Sequence, residues 1–283
     1  MQTTSDIAII HLVRAANDPK AAARFVDSYL KHPAGCDHRL FFLLKGFPQE
    51  LPRELAAILD RVPHVRMVCP DRGYDIGSYY HAAERTMESL VMFLNSFSII
   101  QGDLWLLKLA QAYRVSGTGL VGASGSWESL ASTRLDAPIC GGMQPIRRRF
   151  ARLWAWMVGL PLWMSIPAFP NPHVRTNAFL MAREDFLAAR PPRIHFKFQA
   201  WLFESGRVSM TRSILRRGLR VVVVGRDGTE YGMEDWSKSR TFWQDEQENL
   251  LIHDNQSMAY ARADAYGRAR LCRAAWNCRR DRR

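Results

Sequence analysis

Two short stretches hold residue types that could do chemistry. In "DRGYDIGSYYHAAE" (71–84), Gly73 and Gly77 flank Tyr74, Asp75 and Ile76, between a strand-like and a helix-like run. Small residues there let backbone N–H groups approach a phosphate or sugar, and a helix N-terminus favours negative charge. Arg72 offers a bidentate fork for phosphate oxygens, as do Arg14 and Arg175 elsewhere. Asp75 either caps the helix or faces a ligand. In "FESG" (203–206), read as the start of a helix, Glu204 is a candidate base. It must lie within hydrogen-bond reach of the hydroxyl it deprotonates. Its structural alternatives are a helix-dipole carboxylate or a salt bridge to Arg207. Asp71 and Asp103 are rivals for the same task.

A third stretch, "SLVMFLNSFSII" (89–100), stops an apolar run at Asn95-Ser96. Asparagine can bind a metal weakly, hydrogen-bond a sugar hydroxyl or cap a strand end, but it brings no negative charge. In "PNPHVRTNAFLMA" (170–182), Arg175, Thr176 and Asn177 could read ligand hydroxyls, those of the acceptor if a group is transferred, or satisfy local backbone. In "IHDNQS", Asp254 and Asn255 could close over a ligand or cap the last helix. His173 belongs to no HxxxH or HExxH pattern and reads as a loop residue. GxGxxG with a downstream acid and the Walker loop are both absent, so dinucleotide and P-loop readings lack their signatures.

The elements that must position these residues alternate. Strands are expected at 6–13, 39–45, 65–68, 90–94 and 119–123, and helices at 19–32, 52–62, 78–89 and 103–114. Asp18 is the expected cap and Pro19 the first residue of the first helix. Such alternation predicts an α/β fold, a mostly parallel sheet with helices on both faces. Sites in such sheets lie at the carboxyl ends of the strands, so the loops after Val13 and Val68 and Asn95 should share one edge. Later segments read as a strand running into a helix at 174–185, a helix at 205–218 capped by Ser205 and ended by Gly218, a strand at 219–225, and a last helix near 247–275.

Net charge is +12, and Arg262 to Arg283 hold eight Arg against two Asp. This tail is either a solvated helix or a contact for anionic lipid or nucleic acid. The segment "IRRRFARLWAWMVGLPLWMSIP" (146–167) reads as a core hairpin, an interfacial helix with Trp154 and Trp156 at headgroup level, or a lid. The five cysteines form no CxxC pair, which argues against a zinc site or disulfide framework. Met1 to Asp6 lack a basic n-region, and Ile7–Val13 is too short for an h-region. The expectation is a cytoplasmic protein, with peripheral contact at the inner face of the membrane as the alternative that an interfacial helix would bring.

In order and approximate spacing, "RGYDIGSYYHA", the strand ending in "FLNSF", "TNAFLMARE" (176–184) and "FESG" resemble the bacterial rhamnan-synthesis and related polysaccharide glycosyltransferases of the GT-A fold. The resemblance covers about residues 6 to 225. It implies a GT-A-like domain over 1–245, with a donor half (1–125) and an acceptor half (126–245), and a basic helical extension over 246–283. It implies a nucleotide-diphosphate sugar as donor and a saccharide or lipid-linked acceptor. Gly73, Tyr74, Asp75, Asn95 and Ser96 would face the donor and Glu204 the acceptor hydroxyl. Asn95 and Phe97 stand where many nucleotide-sugar transferases carry Asp-x-Asp. A tightly held Mg2+ or Mn2+ is therefore not implied, a weakly held one is the most the amide supports, and arginines must neutralise the diphosphate. Two other functions compete. One is a non-catalytic nucleotide or saccharide-binding module. The other is a basic nucleic-acid binder, for which no helix-turn-helix, RRM, KH or zinc-finger signature is present.

Overall fold

The computed structural model describes residues 6–47, 50–129, 131, 165–189 and 194–277. The 147–152 arginine cluster, Trp154, Trp156, Cys140 and Cys278 lie outside the described residues.

Apolar runs make the strands. Ile7–Arg14 (β1), Arg39–Lys45 (β2), Val65–Cys69 (β3) and Leu90–Leu94 (β4) pair in parallel, with β1 between β2 and β4. Lys20–Lys31 (α1), Arg53–Leu59 (α2) and Tyr74–Ala83 (α3) connect them. Ile99–Ile100 (β5) and Trp105–Arg114 (α4) lead to Thr118–Gly122 (β6) and Gly125–Ser126 (β7). From the second half come His173–Val174 (β8), Ala178–Ala182 (β9), Arg183–Ala188 (α5), Lys197–Ser205 (α6), Met210–Arg216 (α7), Arg220–Val224 (β10) and Glu230–Tyr231 (β11). Ile252–His253 (β12), Asn255–Arg262 (α8) and Ala265–Trp276 (α9) follow. The eight-stranded sheet has the order β11-β10-β6-β9-β4-β1-β2-β3. β9, from the second half, lies antiparallel between β4 and β6, so both halves share one sheet.

This is the expected α/β architecture, a mostly parallel sheet flanked by helices. The carboxyl ends of β1, β2, β3, β4, β6 and β10 share one edge, which the amino end of β9 joins. Side chains alternate between faces. Met92, Leu94, Ala178 and Leu180 pack on the α1/α4 side. Phe93, Phe179, Phe186, Tyr79 and Phe203 pack on the α3/α6 side. Each wholly buried large side chain contributes roughly 1.5–3 kcal/mol. By the same alternation Asn95 and Asn177 lie on the Phe93/Phe179 face.

Three boundaries differ from expectation. α3 begins at Tyr74 rather than Ser78, and Gly77 lies inside it, its N–H donating to Gly73 O at 2.7 Å. The expected 205–218 helix is two helices. α6 ends at Gly206, whose extended backbone (φ −76°, ψ 176°) leaves a Cβ only 2.6 Å from Leu202 O. Ser209, not Ser205, then caps α7 by accepting from the Arg212 N–H. Gly218, at φ +73°, closes α7 as expected. The expected 247–275 helix is a loop, β12 and two helices capped by Asp254 and Asp264. Among the described residues no helix is long and apolar enough to cross a membrane.

Candidate active site

Lys45 closes a buried strand with a charge, and that charge is used. Its ammonium, covered by neighbouring groups, donates to Tyr74 O at 2.5 Å and Arg72 O at 3.4 Å. These carbonyls belong to a turn in which Gly73 (φ 75°) and Tyr74 (φ 52°) are both left-handed. Such a backbone is costly for a bulky residue and persists where its surroundings over-determine it. Here the Tyr74 carbonyl is held by Lys45 and by Ser78 Oγ at 3.0 Å. A Cβ at Gly73 would lie 3.0 Å from Gly77 Cα, so a side chain there fits only if the first turn of α3 gives way. The turn places Asp75 in the first turn of α3.

Asp75 is half-buried, and burial pushes its carboxyl above the usual carboxylate range. Arg14 and Lys45 pull it down, Glu204 pushes it further up, and Lys197 opposes that. Asp75 thus feels the charge of Glu204, far away in sequence, and of three cations from β1, β2 and α6. Lys45 itself is lowered by burial and partly restored by Asp75. Sequence reasoning missed Lys45 and Lys197. A lysine ending the apolar run "RLFFLLK" was a usable signal for the first; Lys197 carries none.

Glu204 sits in the last turn of α6, not at the expected helix start, so the helix-dipole alternative is excluded: the C-terminal end of a helix is its negative end. The Thr176 N–H donates to Glu204 Oε1 at 2.8 Å, which fixes the carboxylate against the start of β9. His173 is not a loop residue. It is buried in β8, with Nδ1 2.8 Å from Asn171 O. Burial lowers its pKa, opposed by Glu204. Of the rival acids, Asp103 accepts from His32 Nδ1 at 2.7 Å, and Asp71 lies exposed, 4.0 Å from Lys45 Nζ.

Asn95 ends β4 where expected, and its N–H donates to Asn177 O at 2.8 Å. Its Oδ1 already accepts from Phe97 N–H at 3.0 Å and Ser98 Oγ at 3.1 Å, so it caps its own turn. Ser96 turns to the opposite face. There it lines a cavity of about 10 Å³ with His11 and Asn17, away from Asp75. Arg14 borders both this cavity and a cleft of about 1280 Å³, which Arg72, Gly73, Tyr74 and His195 also line. The cleft opens on the β2/β3 side of the turn.

Arg175 does not face an open cleft. It is buried, donating to Asp254 Oδ2 at 2.6 Å, Gln256 Oε1 at 2.9 Å and Ser124 Oγ at 3.2 Å. Its guanidinium lies 3.8 Å from the Phe242 ring centroid. This arginine ties the C-terminal segment to β9 and is not available to a diphosphate. Asp254 caps α8 and holds Arg175, and Asn255 is the exposed first residue of α8. Thr176 contributes its backbone to Glu204. Asn177 Oδ1 accepts from Ser124 Oγ at 3.2 Å.

The donor set around Asn95 does not fit a tightly held divalent cation. Its amide oxygen is doubly engaged. Among the described residues, no group of three or more His, Cys, Asp or Glu side chains is placed to hold a metal ion.

No protein-family model and no curated protein matches the chain, so the rhamnan-synthesis resemblance gains no support there. Solved structures show a distant likeness. A glucosyl-3-phosphoglycerate synthase from Mycobacterium tuberculosis, in complex with Mn2+, UDP and phosphoglyceric acid, is 14% identical with a TM-score of 0.42. The match covers 71% of this chain and 63% of that one, under two-thirds of its length. A mannosyltransferase from Pyrobaculum calidifontis, in complex with GDP-Man and Mn2+, is 11% identical with a TM-score of 0.46, over 95% of this chain and 70% of that one. A 4-diphosphocytidyl-2C-methyl-D-erythritol synthase from Anaerococcus prevotii is 12% identical with a TM-score of 0.44, over 78% and 88%. Likenesses at this level carry no residue role and no ligand across to this chain.

Proposed function

We propose that this chain is a glycosyltransferase, moving a sugar from a nucleotide-diphosphate donor to a hydroxyl of a saccharide or lipid-linked acceptor. The observation that carries the reading is the cleft of about 1280 Å³ at the carboxyl edge of the sheet, lined by Arg14, Lys45, Arg72 and the left-handed Gly73-Tyr74 turn that leads into Asp75. Arg14 and Arg72, which line the cleft, bind the diphosphate. The Thr176 N–H holds one oxygen of Glu204, and the other takes the acceptor proton. As that proton leaves, the acceptor oxygen bonds to the anomeric carbon. The bond from that carbon to the phosphate oxygen breaks, and its electron pair stays on the diphosphate. Glu204 acting as base implies inversion. A double displacement with Asp75 as nucleophile would retain the configuration instead, and the anomeric configuration of the product distinguishes the two by NMR.

The test begins with a panel of UDP-, GDP-, CDP- and dTDP-sugars, followed by binding and by release of nucleotide diphosphate. Glu204→Gln keeps the acceptor for the Thr176 N–H and loses the basicity. General-base catalysis contributes about 10²–10⁴-fold, so turnover should fall by that order with donor affinity little changed. Full turnover in Glu204→Gln removes the mechanism. Absence of binding across the panel removes the reading. Donor binding without transfer or release, with a range of saccharide acceptors, identifies a non-catalytic binding module.

A further inference from the structure

The carboxyl end of β1 borders a second, smaller space. His11, Asn17 and Ser96 line a cavity of about 10 Å³, together with Val13, Arg14 and Leu55. Both ring nitrogens of His11, Nδ2 of Asn17 and Oγ of Ser96 are covered and have no hydrogen-bond partner among the described residues. His11 is wholly buried and Ser96 is 5% exposed. Most buried polar groups in folded proteins are paired, and an unmade bond costs stability. Here the unpaired atoms come from three separate segments, namely β1, the loop before α1 and the turn after β4, and all three line one space.

The chemistry and the size of that space select its occupant. Burial keeps the His11 ring neutral, so it carries one N–H donor and one bare acceptor. The Asn17 amide nitrogen only donates, and the Ser96 hydroxyl does both. A cation is opposed by the Asn17 amide hydrogens, and an anion by the Asp18 carboxylate, which also lines the cavity. Water donates and accepts, and a polar cavity of this size is what a single water needs. We infer that one ordered water occupies the cavity and joins His11 to Asn17 and Ser96. The two ring nitrogens diverge, so the water bonds one of them, and three partners are usual for a buried water.

The water also holds a loop. The Asn17 backbone N–H donates to Arg14 O at 3.0 Å, and the Ala15 N–H donates to Lys45 O at 2.9 Å. A bridge to the Asn17 side chain therefore fixes the far end of the turn that carries Arg14, and Arg14 lines the cleft. His11 and Ser96 line only the small cavity and act on the cleft through this turn, as positioning residues.

A crystal structure of the ligand-free, full-length protein tests the site. It should show one water within about 3.2 Å of Ser96 Oγ, Asn17 Nδ2 and one His11 nitrogen. A dry cavity overturns the inference, and so does a direct hydrogen bond between these side chains that closes it. Ser96→Ala tests the positioning by hydrogen exchange. With the bridge present, the loop loses one hydrogen bond. The Asn17 N–H should then exchange about fivefold faster, while the Leu120 N–H in β6 is unchanged. The Leu120 amide reports global opening, which a merely structural loss would move as well. Without a bridge the Ser96 hydroxyl is an unmade bond, and deleting it leaves the Asn17 rate unchanged or slower. That result overturns the positioning role, as does equal acceleration of both amides. Neither measurement uses a nucleotide, so this inference and the glycosyltransferase reading fail separately.

Discussion

Asp75 is held in a place that burial makes unfavourable for its charge. Its folded pKa is raised, so between the ordinary carboxylate value and the raised one the folded chain binds more protons than the unfolded chain. Stability therefore declines as pH rises through that window, and the cost is fully present above it. Asp75→Asn should melt higher than the wild type at pH 7, the difference should vanish toward pH 3, and donor binding should weaken. A lower melting temperature at pH 7 would make Asp75 a stabilising ion-pair partner instead. His11 runs the other way. It is fully buried, its ring stacks on Phe25 at 3.7 Å, and burial lowers its pKa to about 3. Between that value and the unfolded 6.5 the unfolded chain binds the extra proton, so stability falls as pH drops below 6.5. Each unit is worth about 1.4 kcal/mol. His11→Leu should lose this part of the acid destabilisation, read as a flatter melting profile from pH 6.5 to 4.

At the scale of elements, the start of α3 depends on space as well as on torsion. Gly73 and Gly218 have nearly the same left-handed φ, 75° and 73°, but a Cβ meets Gly77 Cα at Gly73 and nothing within 4 Å at Gly218. Gly218→Ala should cost only the torsional penalty, about 1 kcal/mol in urea unfolding, with activity unchanged. Gly73→Ala should cost more, and should weaken donor binding, because the turn carries Arg72, Tyr74 and Asp75. Equal costs at the two positions would show that the contact with Gly77 relaxes freely.

At the scale of the whole molecule, the C-terminal segment is joined to the body by several independent contacts. β12 pairs antiparallel with β5. Trp276 Nε1 donates to Phe242 O at 2.7 Å, and Trp127 N–H donates to Ala275 O at 3.1 Å. The central tie is the buried Arg175–Asp254 pair. Removing one member of a buried pair leaves an uncompensated charge and typically costs about 3–5 kcal/mol, whereas removing both is far milder. Asp254→Asn should lower urea stability by that order, and adding Arg175→Met should recover much of it. Additive losses in the double variant would show that the two residues act separately.

Apolar runs such as "IAIIHLV" and "LVMFL" settled strand positions and alternation by themselves, because burial on both faces of a sheet demands them. Parallel alternation then implied that the ends of β1, β3 and β4 share one edge. Gly218 was legible because a helix exit needs a left-handed residue. Contacts between distant segments were not legible. Neither Asp75 nor Glu204 carries a local sign of the other; α6 lies beside α3, and the Thr176 N–H at the entry to β9, which runs between β4 and β6, holds Glu204. Asn95, Asn177 and Tyr79 share a face through strand register and helix placement, which no window of sequence contains. Arg175 looked like a ligand-facing arginine. Only the return of the C-terminal segment buried it, since its partner Asp254 arrives from the other end of the chain.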